Sequence, residues 1–111
     1  MKTLKFEESL VSKVLSGEKY TTWRLFDDKD IRTGDKIDFV NATTKEVFTR
    51  AHVTKVVEKP MAELKDEDFE GHEKYDNSEQ MYKTYTDYYH RPVGPETLVK
   101  IIWFKLDKTP Q

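Results

Sequence analysis

The sequence predicts an α+β fold, in which a small, partly closed β-barrel of about five or six mostly antiparallel strands is flanked by helices. Two observations lead to this prediction. Strand-like segments follow one another through the middle of the chain, whereas a parallel doubly wound sheet requires strands and helices to alternate. The length of 111 residues suits one compact domain, residues 1–111, and is short for two.

The first third of the chain predicts a strand, a helix and a second strand. Thr3–Phe6 alternates between polar and apolar residues, as a short strand does. A helical stripe follows, and Gly17 then stands where a left-handed helix cap favours a residue without Cβ. Lys19–Phe26 is rich in β-branched and aromatic residues and predicts the second strand. The stripe consists of Leu10, Val11, Val14 and Leu15.

The middle and the end of the chain predict three more strands and a second helix. Asp27–Asp30 reads as a loop and Thr33–Asp35 as a turn before a strand at Lys36–Val40. A long strand at Val47–Val57 changes its apolar phase partway, which a β-bulge would explain. The strongest strand, Leu98–Leu106, is apolar on both faces and should be central. Between the strand at Val47–Val57 and the strand at Leu98–Leu106, two short helical turns are predicted within 61–69. A helix follows them, with a capping box at Asn77–Gln80 and a largely aromatic face formed by Met81, Tyr85, Tyr88 and Tyr89.

Composition and charge restrict the core, the location and the partners. Apolar residues are only 36% of the chain, so the core must rely on six Phe, six Tyr and two Trp. No apolar run approaches the roughly 20 residues of a membrane helix, no signal peptide is recognisable, and there is no cysteine, so we expect a cytoplasmic protein without a membrane partner. The net charge is −2, and residues 61–96 carry ten acidic against four basic residues. This charge balance disfavours a long polyanion as the ligand and favours a nucleoside or a short single-stranded RNA.

The segment Gly17-x-Lys19-x-x-Thr22-x-Arg24 holds the most informative group of polar residues. In an extended strand Thr22 and Arg24 share one face, and Lys19 can reach the same side from the preceding turn. A partly desolvated lysine can act as a base, a threonine hydroxyl needs such a base to become a nucleophile, and arginine offers a fork of donors. An ordinary solvated strand with mixed charges explains the same spacing, and the spacing alone favours that interpretation.

This segment resembles the signature of the ASCH (activating-signal-cointegrator homology) domain, a family whose fold is PUA-like. Thr33-Gly34-Asp35, Phe69–Glu73 and the strand Val99–Phe104 fit the same family in the same order, so the resemblance extends over roughly residues 3–106. It implies a barrel with flanking helices and a cleft that suits RNA or a nucleobase.

The resemblance also implies a reaction, because one bacterial type within the family is an amidohydrolase of N4-acetylcytidine with a catalytic Lys, Thr and Glu. The Lys and Thr match Lys19 and Thr22, and the Glu matches Glu70 or Glu73. Glu70 is preferred because Glu70-Gly71 fits the family's Glu-Gly step, and Glu73 is then expected to bind substrate. Neutral Lys19, oriented by Glu70, would deprotonate Thr22 or a water, while Arg24 holds the oxyanion. A ribonuclease, a non-catalytic RNA-binding module and a protein-interaction domain are alternatives.

The remaining aromatic and histidine residues give weaker indications. Tyr20 is a candidate to stack on a base and Tyr89 to place its hydroxyl in the cleft, whereas Trp23 should face away from Thr22 and belong to the core. The three histidines are far apart in sequence and predict surface or capping positions: His52, His72 and His90. We therefore predict no metal site and, since enzymes of this type need none, no cofactor.

Overall fold

The computed structural model describes residues 2–27 and 29–107. Its strands are β1 (Lys2–Phe6), β2 (Thr21–Leu25), β3 (Lys36–Asn41), β4 (Val47–Pro60) and β5 (Leu98–Leu106), and its helices are α1 (Glu8–Ser16) and α2 (Ser78–Tyr89). Two single 3₁₀ turns, Met61–Glu63 and Asp66–Phe69, lie between β4 and α2. Asp28, within the predicted loop 27–30, lies outside the described residues.

The strands form one mixed, strongly curled sheet with the order β1-β3-β4-β5-β2. The β1–β3 pair is parallel and the other three pairs are antiparallel. Although β1 and β2 are the two edges of this order, a guanidinium nitrogen (Nη2) of Arg24 on β2 donates to the carbonyl oxygen of Lys5 on β1 at 2.9 Å. The sheet therefore curls until its edges meet, which confirms the expected α+β fold with a partly closed barrel.

Local sequence features account for most element boundaries. The phase change predicted in β4 is confirmed as a shift of register against β5 between Val53 and Lys55. The second strand begins at Thr21 and not at Lys19, because the backbone N–H of Lys19 donates to the carbonyl oxygen of Lys13 (3.0 Å) and not to a neighbouring strand. The strongest predicted strand, β5, lies inside the sheet between β4 and β2, as expected.

The helices cover opposite faces of the sheet. Val14 of α1 belongs to a first core, and Met81 and Tyr85 of α2 belong to a second core. The predicted stripe of α1 is narrower than expected, because Leu15 is 51% exposed. The amide side chain of Asn77 caps α2 by accepting from the N–H of Gln80 at 2.8 Å, which is one half of the predicted capping box. The side chain of Gln80 accepts from the N–H of Asp76 (2.7 Å) and not from that of Asn77. Neither helix, nor any other within the described ranges, has the length and apolarity needed to cross a membrane.

Candidate active site

A cavity of about 180 Å³ lies where the two edges of the curled sheet meet. Its wall is formed by four segments: the end of β1 with Glu7 and the first turn of α1, Lys19 with the middle of β2, the stretch 72–75, and the second half of α2. Lys19, Thr22, Arg24 and Glu73 all line it. Four residues, each predicted as functional, are thus gathered at one site from two stretches of the sequence, 19–24 and Glu73.

Lys19 is the most deeply buried charged side chain of the cavity, with 4% of its surface exposed. Two backbone features position Lys19. Gly17 ends α1 in the left-handed conformation (φ 87°), and the N–H of Lys19 donates to the carbonyl oxygen of Lys13. The amine nitrogen (Nζ) of Lys19 donates to the carboxylate oxygen Oε2 of Glu73 at 2.6 Å. The amine therefore points into the site and away from solvent.

Two opposing influences on Lys19 could not be weighed from sequence, and the structure decides between them. Burial lowers the pKa of Lys19, the carboxylate of Glu73 raises it, and burial prevails, so the pKa lies below its usual value. Burial alone would raise the pKa of Glu73, but the neighbouring His72 and Lys19 outweigh it and lower that pKa overall. Glu73 therefore stays ionised, while Lys19 gives up its proton more readily than an exposed lysine does.

The expected pairing of Lys19 with Glu70 is wrong, because Glu73 takes that place. Glu70 is exposed and is not part of the cavity wall. The reason lies in the next residue: Gly71 adopts a left-handed conformation (φ 75°), and its carbonyl oxygen accepts from the N–H groups of Tyr20 (3.1 Å) and Thr21 (3.3 Å). This docking against β2 directs residues 72–75 toward the site, so the acid comes from beyond the Glu-Gly step.

Thr22 and Arg24 lie on one face of β2, as the alternation of a strand requires. Thr22 is 4% exposed and lines the cavity. The guanidinium of Arg24 lies 5.3 Å from the ring centre of Phe6, in addition to its bond to Lys5. Arg24 thus closes the gap between the sheet edges while it contributes positive charge to the cavity wall.

His72 is a site residue that the sequence-based interpretation placed at the surface, and that prediction is wrong. Its side chain is 2% exposed and stacks on Trp23, with ring centres 4.0 Å apart and 12° between the ring planes. Its Nδ1 lies 2.9 Å from the carbonyl oxygen of Glu73. Burial lowers the pKa of His72 to about 4, so the ring is neutral near pH 7. A lone histidine beside a carboxylate gives no sequence signal that separates it from a surface residue.

The two predicted tyrosines have different positions. Tyr89 lines the cavity, and its hydroxyl oxygen accepts from the N–H of Leu25 at 3.2 Å. The ring of Tyr20 instead lies over Gly71, is 42% exposed and is not part of the wall. Trp23 is 3% exposed and belongs to the second core, as predicted, although one side of it also borders the cavity. In the described part of the chain, no three His, Asp or Glu residues are grouped to hold a metal ion.

The curled five-stranded sheet with its two helices is an ASCH-like fold. The structure is similar to that of a protein of Enterococcus faecalis V583 described by the family model DUF984, with a TM-score of 0.73, 17% identity, and coverage of 88% of this chain and 69% of that one. An ASCH domain from Lactobacillus crispatus JV V101 gives a TM-score of 0.71 at 11% identity, with 95% and 79% covered. An ASCH protein from Zymomonas mobilis gives 0.67 at 14% identity, with 93% and 65% covered. No family model and no curated relative matches the sequence.

Proposed function

We propose that this protein hydrolyses the exocyclic amide of an N4-acylated cytidine, with Lys19, Thr22 and Glu73 as its catalytic residues. The observation that carries the proposal is the buried Lys19 amine, held 2.6 Å from Glu73 in a cavity that Thr22 also lines. Burial lowers the pKa of Lys19, so its neutral, basic form is more accessible than that of an exposed lysine. A threonine becomes a nucleophile only when such a base removes its proton.

The size of the cavity supports a single heteroaromatic ring as the buried part of the ligand. An apolar cavity of about 150 Å³ is known to hold one benzene molecule, and this one measures about 180 Å³. A pyrimidine base fits that volume, whereas a whole nucleotide exceeds it. The sugar would then lie at the open end, and the N4-acyl group would lie beside Lys19 and Thr22.

The proposed reaction proceeds through an acyl-enzyme. Neutral Lys19 takes the proton of the Thr22 hydroxyl, and the Thr22 oxygen attacks the amide carbonyl carbon while the π electrons move to the carbonyl oxygen. Arg24 stabilises the resulting oxyanion. The C–N4 bond then breaks, N4 receives the proton from Lys19, and cytidine leaves. Water, deprotonated by the same lysine, hydrolyses the Thr22 ester and releases the carboxylic acid. Glu73 orients Lys19 throughout.

The test follows the release of cytidine from N4-acetylcytidine by liquid chromatography. The wild type should produce cytidine and acetate in equal amounts. Thr22→Ser retains the nucleophilic oxygen and should retain turnover, whereas Thr22→Ala should abolish it. Peptide mass spectrometry after an acid quench should find an acetyl group on residue 22. Unchanged turnover by Thr22→Ala would remove Thr22 from the mechanism.

Binding of short single-stranded RNA is a second candidate function, favoured by the aromatic rim of the cavity. Tyr88 borders the cavity with 51% of its surface exposed. Outside the wall, the partly exposed Phe26 packs on the wall residue Tyr89, and the guanidinium of Arg91 lies 3.8 Å from the Phe26 ring centre. Stacking of a base on such a ring is worth about 1–3 kcal/mol. A titration with a short cytidine-containing RNA at two salt concentrations tests it; Tyr88→Ala should weaken binding at least fivefold, and no binding at low salt would refute it.

A further inference from the structure

His72 is held in one orientation and one tautomer by the groups around it. One ring face lies flat on Trp23 at 4.0 Å, and Trp23 is itself 3% exposed. The carbonyl oxygen of Glu73, 2.9 Å from Nδ1, can only accept a hydrogen bond, so Nδ1 must carry the proton. The other ring nitrogen, Nε2, then carries a lone pair and is an acceptor.

This acceptor is available to a ligand in the cavity. Within the described residues, Nε2 of His72 makes no hydrogen bond, and it is not sealed from solvent as Trp23 Nε1 and Arg24 Nε are. His72 lines the cavity and its side chain is only 2% exposed, from which we infer that the accessible edge of the ring, with Nε2, faces that space. An acceptor of this kind, fixed before the ligand arrives, gives strong discrimination because a ligand without a matching donor leaves it unpaired.

His72 differs from the other polar groups of the wall. Lys19 and Arg24 are donors, and Glu73 accepts from Lys19 at Oε2 while its second oxygen remains a further acceptor. His72 instead offers a neutral acceptor whose direction is fixed by the stacked ring and by the bond at Nδ1. A ligand that carries both a carbonyl oxygen and an N–H can therefore meet the donors Lys19 and Arg24 and the acceptor of His72 in one cavity. The amide of an N4-acylcytosine has this pair of groups, and the N3–N4H₂ edge of free cytosine offers an equivalent pair, a ring-nitrogen acceptor beside an N–H donor.

We propose that His72 determines substrate specificity by accepting a hydrogen bond from the N4–H of a cytosine base, which selects secondary N4-amides and cytidine over N4-dialkylated bases. The assignment rests on the proposed function, because it places the base in this cavity. It goes further in naming the group that is recognised and the residue that recognises it.

The test compares the affinities of cytidine and N4,N4-dimethylcytidine, measured by isothermal titration calorimetry. The wild type should bind cytidine about tenfold more tightly, the value of one well-placed hydrogen bond. His72→Phe keeps a flat ring against Trp23 but has no acceptor, and it should lose this preference. His72→Gln places an amide oxygen near the position of Nε2 and should recover it. The steric cost of the methyl groups is common to all three proteins and cancels when their preferences are compared.

The outcomes separate this assignment from the proposed reaction. The role of His72 is supported if the wild type and His72→Gln prefer cytidine and His72→Phe does not. If those preferences are found but N4-acetylcytidine is not hydrolysed, only the proposed reaction is refuted. The same preference in His72→Phe, or no binding of either nucleoside to the wild type, would overturn the role of His72. Circular dichroism of both variants shows whether the fold is retained, and His72→Leu, which also lacks an acceptor, takes the place of the Phe variant if that variant unfolds.

Discussion

Replacement of Glu73 by Gln, compared with the same change at Glu70, separates the two acids that the sequence could not distinguish. Glu73 lies 2.6 Å from the buried Lys19 amine, whereas Glu70 is exposed and outside the cavity wall. The change keeps the size of the side chain and removes only its negative charge. Glu73→Gln therefore leaves the Lys19 amine without a counter-ion, and Glu70→Gln serves as the matched control.

The expected loss of stability follows from the burial of the two partners. Removal of one member of a fully buried ion pair costs about 3–5 kcal/mol. The Lys19 side chain is 4% exposed but that of Glu73 is 30% exposed, so solvent already screens part of the attraction. Lys19 can also lose its proton, because burial lowers its pKa. We therefore expect Glu73→Gln to cost about 1–3 kcal/mol, and Glu70→Gln to stay within about 0.5 kcal/mol of the wild type.

The expected loss of activity has a different origin. Without Glu73 the lysine is no longer held in place, and a displacement of about 1 Å can reduce a rate about 100-fold. The carboxylate raises the pKa of Lys19, so its removal should also shift the alkaline rise of kcat/KM, where the neutral amine forms, to lower pH. Chemical denaturation and the release of cytidine from N4-acetylcytidine measure the two effects. A Glu73→Gln variant as stable and as active as the wild type, or a larger loss in Glu70→Gln, would refute this reasoning.

Three further changes test other parts of the structure. Thr22→Ala should abolish hydrolysis while Thr22→Ser retains it, and equal loss in both variants, measured by cytidine release, would show that the hydroxyl is not what matters. The pKa of His72 is lowered from 6.5 to about 4, so the unfolded chain binds more protons than the folded chain between these pH values. The contribution of His72 to the free energy of unfolding, about 3 kcal/mol, should therefore be present above pH 6.5 and lost as the pH falls toward 4. Denaturation of His72→Phe across this range should show a flatter pH dependence, and an unchanged one would contradict the burial of a neutral ring. Gly71→Ala places a Cβ about 2.6 Å from the Tyr20 ring, whereas the Cβ of Gly34→Ala, also at positive φ, meets nothing within 4 Å. Thermal melting should show a loss of stability of about 1 kcal/mol for Gly34→Ala and a larger loss for Gly71→Ala. Equal losses would mean that the Tyr20 ring moves freely aside.

The elements of the fold could be predicted because each has a local cause in the sequence. The cap at Asn77, the left-handed Gly17 and the phase change in β4 all depend on neighbouring residues, and all three are present in the structure. The strand order could not be predicted in the same way. The parallel pairing of β1 with β3, and the contact of Arg24 with Lys5 across the two sheet edges, depend on groups that are distant in the chain.

The same distinction explains the outcome for the site. Lys19, Thr22 and Arg24 lie within six residues: the alternation of one strand places Thr22 and Arg24 on one face, and Lys19 lies in the turn directly before that strand. The acid comes from a segment whose direction is set by Gly71 docking on the backbone of β2, a contact between residues about fifty positions apart. The burial of His72 has the same origin, because the partner that covers it, Trp23, belongs to β2.

The hydrolysis of N4-acetylcytidine by the wild type and by Lys19→Met tests the central claim most directly. Methionine has nearly the volume of lysine and no charge, so it fills the same buried space without a basic nitrogen. If the buried amine is the base, the wild type releases cytidine and acetate, and the folded Lys19→Met variant releases neither at a measurable rate. Release at the same rate by both proteins, or by neither, would contradict it.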